Sequence, residues 1–135
     1  MDSLKTLQAI NLAIWLRNNA HLISKQELIS NIQDLAKFDL FSCRQIQRIC
    51  GGRIGYTTIA RYIKKSSRTG GFVNPNSLEI IREILYAKHN GQINYLAIRA
   101  VLADGTSQNM VSKLTGVAQS TISKYLGGDN GKVVK

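Results

Sequence analysis

The sequence predicts an all-α chain made of two similar halves of about four helices each. Three observations carry that expectation. Apolar residues recur at spacings of three and four rather than two, which is the period of one helix face. Capping and breaking residues punctuate the chain at short intervals. The order of elements then begins again after residue 76, as a duplicated unit would.

The first predicted helix carries the stripe Leu4, Leu7, Ile10, Ile14 and Trp15 and ends near Asn18 and Asn19. Ser24 and Glu27 have capping-box spacing, in which the hydroxyl accepts from the backbone of the third helical residue and the carboxylate reaches back. The stripe Leu28, Ile32, Leu35 follows. Ser42 and Gln45 form a second such box before a short helix with Ile46 and Ile49 inward, stopped by Gly51-Gly52. A fourth helix is expected over residues 56–65, with Ile59, Tyr62 and Ile63 as its apolar side.

Residues 64–76 (KKSSRTGGFVNPN) hold the only proline and no helical period, so a linker is predicted at 66–76. Asn76, with Glu79 three positions on, is the expected cap of the next helix, whose stripe is Leu78, Ile81, Ile84 and Leu85. Asn94 is the expected cap of a helix bearing Ile93, Leu96, Ile98, Val101 and Leu102. Thr106 or Ser107 opens a short helix with Val111 and Leu114, and Gly116 breaks it. The last helix is expected over 118–126, ended by Gly127-Gly128. The boundaries that follow are a first unit at 1–65, a linker at 66–76, a second unit at 77–128 and a flexible basic tail at 129–135.

Aligning the halves pairs Ser3-Leu4 with Ser77-Leu78, Ser24 with Asn94, Ile46 with Val111 and Gly51 with Gly116. The sharpest correspondence sets Ile54-Gly-Tyr-Thr-Thr-Ile-Ala-Arg-Tyr-Ile63 against Val117-Ala-Gln-Ser-Thr-Ile-Ser-Lys-Tyr-Leu126. Thr58, Ile59 and Tyr62 recur as Thr121, Ile122 and Tyr125, and Arg61 becomes Lys124. Two unrelated amphipathic helices would share the apolar positions but not this order of hydroxyls and bases.

Charge points to a class of partner. The chain carries 18 Lys and Arg against 8 Asp and Glu, a formal charge of +10 over 135 residues. Both halves share the excess, which implies a polyanion such as nucleic acid rather than a neutral domain with a cationic tail. The longest apolar stretch, Ala9 to Leu16, contains Asn11 and is too short to span a bilayer. No charged segment followed by an apolar one opens the sequence, so an intracellular, nucleoid-associated protein without membrane partners is expected.

Residues 108–126, from Gln108 to Leu126, resemble the helix-turn-helix of phage and plasmid repressors of the Cro type. Val111 stands where a residue packs under the second helix, Ser112 where the helices approach closely, and Gly116 at the turn. Val117 fills the space between the helices, and Ile122 with Tyr125 faces the core. The resemblance implies two tandem helix-turn-helix units of about four helices each, whose second short helix enters a major groove. It implies Thr106, Ser107, Gln108, Ala118, Gln119, Ser120, Thr121, Ser123 and Lys124 as DNA-contacting residues of the second unit. In the first unit Gln47 replaces the small residue, and Gly52 and Arg53 lengthen the turn. The corresponding set there is Arg44, Arg53, Gly55, Tyr56, Thr57, Thr58, Arg61, Lys64 and Lys65, with Ala60 on the same outward face and Arg68 in the linker able to reach a minor groove.

Other chemistries find little support. Cys43 and Cys50 are too few for a disulfide scaffold, and zinc would need two more ligands near them while His21 and His89 are isolated. No nucleophile triad, HExxH or paired carboxylate stands out, and GGRIG lacks the Lys-Ser/Thr of a phosphate loop. Trp15 and Tyr86 are expected in the core. No cofactor and no enzymatic activity are expected. The sequence therefore predicts a transcriptional regulator reading double-stranded DNA. A replication, partition or transposition accessory protein is an alternative, as is a helix-turn-helix module docking on RNA polymerase or another regulator. A homodimer is a further partner the reading admits. Tandem order predicts two units in adjacent major grooves, without a palindromic site.

Overall fold

Helix α1 (Ser3–Asn19) is the element around which the rest is assembled, packing against α2 (Lys25–Ala36), α3 (Cys43–Ile49), α5 (Leu78–His89) and α7 (Gln108–Thr115). The remaining helices are α4 (Tyr56–Tyr62), α6 (Tyr95–Ala103) and α8 (Gln119–Asn130), with a 3₁₀ turn at Pro75–Ser77. The computed structural model describes residues 3–63 and 71–130, and no strand occurs among them. The all-α class follows directly.

The central place of α1 is written in its burial. Leu7, Ile10 and Ile14 form one stripe and Ala9, Ala13 and Leu16 another, so about half its circumference is enclosed. Trp15 lies one residue, or about 100°, beyond the second stripe and is 41% exposed, not a core residue. Tyr86 has the same relation to Leu85 and is also on the surface, as are Leu4, Tyr62, Ile93 and Leu96. Beside Trp15, Tyr86 and Leu96 a smaller neighbour, Ile14, Leu85 or Ala97, takes the inward position.

The expected caps at Ser42, Asn94 and Ser107 are present, their side-chain oxygens accepting from the backbone N–H of Gln45, Ala97 and Met110. Ser42 and Gln45 complete the reciprocal box. Ser24 accepts from the Glu27 N–H at 3.1 Å, but Glu27 answers the Ser24 hydroxyl rather than its backbone. At α5 the cap moves upstream: Asn74, not Asn76, accepts from the chain ahead, and the 3₁₀ turn intervenes. Glu79 is thereby free to pair with Arg17. Helix α8 does not stop at Gly127-Gly128 but continues to Asn130.

The four helices of each half share four neighbour pairs, first with second, first with third, second with fourth and third with fourth, and the second half adds α6 with α7. The buried side chains nevertheless form one cluster across both halves, from Leu7 to Ile122. Of the expected linker, Val73 belongs to it, and its neighbours are tied to the second half by hydrogen bonds. Val73 is fully buried, the Asn74 N–H donates to Thr106 Oγ1 at 3.0 Å, and Phe72 and Ser107 exchange hydrogen bonds through N–H and carbonyl groups and the Ser107 hydroxyl. Residues 66–70 of the expected linker, with Arg68, lie outside the described residues, as do Lys64, Lys65 and residues 131–135 of the expected tail. No described helix is long and apolar enough to cross a membrane.

Candidate nucleic-acid interface

Two helical elbows carry the residues singled out in the sequence. In the second, α7 ends at Gly116, which takes the left-handed conformation at φ +76° and turns the chain into α8 within three residues. A Cβ is disfavoured in that conformation, which accounts for glycine here. Val111, Leu114, Val117 and Ile122 are buried and hold α7 on α8. The Thr115 hydroxyl donates to the Val111 carbonyl at 2.6 Å and accepts from the Val117 N–H at 3.2 Å, bracing the turn. With Ile122 inward, Ala118, Gln119, Ser120, Ser123 and Lys124 are exposed and Thr121 is half-buried.

In the first elbow Ile46, Ile49, Ile54 and Ile59 do the same work between α3 and α4. Its connection is longer, and Gly51 and Gly52 are both left-handed, at φ +65° and +75°. Gly55, Tyr56, Thr57, Ala60 and Arg61 are exposed and Thr58 half-buried. Residue by residue from Ile54 to Arg61, the pattern of buried, half-buried and exposed positions is identical to that from Val117 to Lys124.

Several expected contacts are placed otherwise. Thr106 is buried, its hydroxyl occupied by Asn74, and does not reach the exposed face. Ser107 caps α7 with its side chain, accepting from Met110 and from Phe72. Arg53 is exposed, but its guanidinium folds back to the carbonyls of Ala20 and Ile23 and ties the long turn to the α1–α2 corner. The side chain of Tyr125 lies outside the described residues.

One participant is absent from the sequence expectation. Gln119 donates through Nε2 to Asn109 Oδ1 across the elbow, and Ser123 donates to Gln108 Oε1 at 2.9 Å. The bond to Asn109 uses one N–H of the Gln119 amide, whose side chain is otherwise exposed. An equivalent pair exists in the first elbow, where the Arg44 guanidinium lies 4.9 Å from the centre of the Tyr56 ring. Arg44 was legible as a site residue and Asn109 was not, although the alignment of the halves puts them at the same position. The two elbows therefore share a scaffold and differ in chemistry, amide on amide in one and cation on aromatic in the other.

The electrostatics behind the elbows differ too. Arg48 stacks over Phe72, with its carbon 4.5 Å from the ring centre. At the corresponding position Lys113 is half-buried; burial lowers its pKa below the usual lysine range, and Asp39 opposes that shift. Among the described residues no group of three His, Cys, Asp or Glu is placed to hold a metal ion. Comparison with family models, curated proteins and solved structures finds no match to this chain.

Proposed function

We propose that the chain is a sequence-specific double-stranded DNA-binding protein of the transcription-regulator type, built as two helix-turn-helix units. The observation that carries this reading is the identical burial pattern of the two elbows. Each one buries its apolar residues and presents a short outward set of amide, hydroxyl, aromatic and basic groups. Such a set suits base edges flanked by phosphates.

In this reading Gln119 pairs with adenine, whose N6–H₂ donates to the free amide oxygen while N7 accepts the second N–H. Asn109 presets that orientation, so less freedom is lost on binding. Ser120, Ser123 and Lys124 surround it. Arg44, Tyr56, Thr57 and Arg61 form the other reading surface. The excess of basic residues supplies the part of affinity that does not depend on sequence.

The test is selection from randomised duplex DNA with the whole chain, followed by binding at several salt concentrations. A defined site should be enriched, and log affinity should fall linearly with log salt, by about 0.9 per phosphate neutralised. Gln119→Ala should cost about 1–3 kcal/mol on the enriched site and little on unrelated DNA. Failure to enrich any sequence, with the protein folded, would reject the reading.

A further inference from the structure

The way the halves meet identifies the symmetry of the site. Burial corrects the alignment of α1 and α5: Leu7, Ile10, Ala13 and Ile14 correspond to Leu78, Ile81, Ile84 and Leu85, all buried. Trp15 then matches Tyr86, both exposed, and Thr6 matches Ser77, both buried hydroxyls. The shift from the sequence alignment is one helical turn, a slip that preserves apolar spacing. For α3 and α7 the caps Ser42 and Ser107 coincide, and Gln45 corresponds to Met110.

With these equivalences, two contacts between the halves join a residue to its own counterpart. Arg82 Nη1 donates to Asn11 Oδ1 at 3.1 Å, and Asn11 and Arg82 are equivalent. Gln45 Nε2 lies 3.2 Å from Met110 Sδ, and these too are equivalent. Helices α1 and α5 run antiparallel, since Arg17 in the last turn of α1 meets Glu79 and the Pro75 carbonyl at the start of α5 while Asn11 meets Arg82 midway. Between copies that run antiparallel, a residue touches its own equivalent only beside a two-fold axis, whereas head-to-tail repeats keep one direction. Two such pairs on different helices mark the line of that axis.

The symmetry is partial: α1 packs on α7 more closely than α3 on α5, and the side chains depart from it as well. The counterpart of Arg17 is Lys88, which lies against Gly116 instead. Residues 71 and 72 also touch the first half beside the axis, and Arg48 stacks over the Phe72 ring. Gln45 Nε2 donates to the Gly71 carbonyl at 2.7 Å, and a Cβ on Gly71 would come within 2.6 Å of Met110 and Ser107.

We infer that this single chain is an internal pseudo-dimer whose DNA target is an inverted repeat of two unequal half-sites, bound by one chain. The inference rests on the DNA-binding reading above and adds what that reading leaves open. Duplex DNA has a two-fold axis between its strands, and a protein with a matching axis reads half-sites of opposite orientation. The α3–α4 elbow reads one half-site through Arg44, Tyr56 and Arg61. The α7–α8 elbow reads the other through Asn109, Gln119 and Lys124. This replaces the expectation drawn from tandem order, because order along the chain does not dictate arrangement in space.

The deciding experiment makes the two reading surfaces alike. A chain carrying Arg44→Asn, Tyr56→Gln, Thr57→Ser, Ala60→Ser and Arg61→Lys displays the second surface twice. All five positions are exposed, and circular dichroism verifies the fold. Selection from randomised duplexes should convert the wild-type site into a palindrome of identical halves, with one chain per duplex by native mass spectrometry. Enrichment of a direct repeat would overturn the two-fold. So would two chains per duplex, or a single half-site from α7–α8 alone. Should the substituted chain not fold, hydroxyl-radical footprinting of the wild-type chain decides, because protections mirrored between strands about one centre support the axis and protections repeating along one strand exclude it. If the wild-type chain enriches no sequence at all, the DNA-binding reading itself falls. A direct repeat, by contrast, removes only the symmetry.

Discussion

The α3–α4 and α7–α8 elbows bury the same positions although one connection, residues 50–55, is twice as long as the other, residues 116–118. The difference shows that packing, not turn length, sets which face of the second helix turns inward. Ile46, Ile49, Ile54 and Ile59 seat α4 as Val111, Leu114, Val117 and Ile122 seat α8. The extra residues are absorbed by two left-handed glycines and by Arg53, anchored to the Ala20 and Ile23 carbonyls.

The largest test of this equivalence is removal of its keystones. Ile59 and Ile122 are each 1% exposed, and replacing either with alanine should cost about 2–4 kcal/mol. Urea unfolding followed by circular dichroism should give similar losses for the two, each in one transition because the core is continuous. A clearly smaller loss at Ile59 would break the comparison by making the longer elbow the looser one.

Next come the turns. Alanine at Gly51, Gly52 or Gly116 must adopt positive φ, costing about 1–2 kcal/mol. Gly51→Ala should be the most damaging of the three, since its Cβ would sit 2.8 Å from His21 Nε2, whereas Gly52 has open space and Gly116 meets only the flexible end of Lys88. Thermal melts would establish that order.

Smaller still is the pair that links the halves. The hydrogen bond from Arg17 holds the Glu79 carboxyl below its usual range, against the opposing effect of burial. A carboxylate depressed by folding stabilises above its unfolded pKa and loses that contribution as pH falls through its folded value. Glu79→Gln should therefore cost about 1 kcal/mol or less at pH 7, with wild type and variant converging below about pH 4. A gap that persists in acid would assign the loss to packing instead.

The smallest effect is chemical. Burial pushes the Cys50 thiol up to about 11, while Cys43 is only half-buried. Iodoacetamide at pH 8 should modify Cys43 in the folded protein and spare Cys50 until urea is added, as peptide mass mapping would reveal.

Much of this architecture was legible in residue types. Ser42, Asn94 and Ser107 announce their helices because a hydroxyl or amide at a helix start satisfies a backbone N–H wherever the chain folds. The turn glycines and the outward faces of α4 and α8 follow equally from local rules. What escaped the sequence depends on neighbours far along the chain. Trp15 and Tyr86 lie beside their stripes, and which residues of α1 turn inward is decided by α2, α3, α5 and α7 together. Val73 reads as linker because its burial comes from the other elements packed around it. Asn109 escaped because its importance lies in a bond to Gln119, ten residues away across a turn.

The unlike pairs at the two elbows, Arg44 with Tyr56 and Asn109 with Gln119, have a genetic consequence. In a homodimer every substitution is copied into both halves, so a change that suits one side is imposed on the other. Here each elbow has its own codons. A single mutation can alter one while the other stays as it was, and the two can drift apart by small, separately selectable steps.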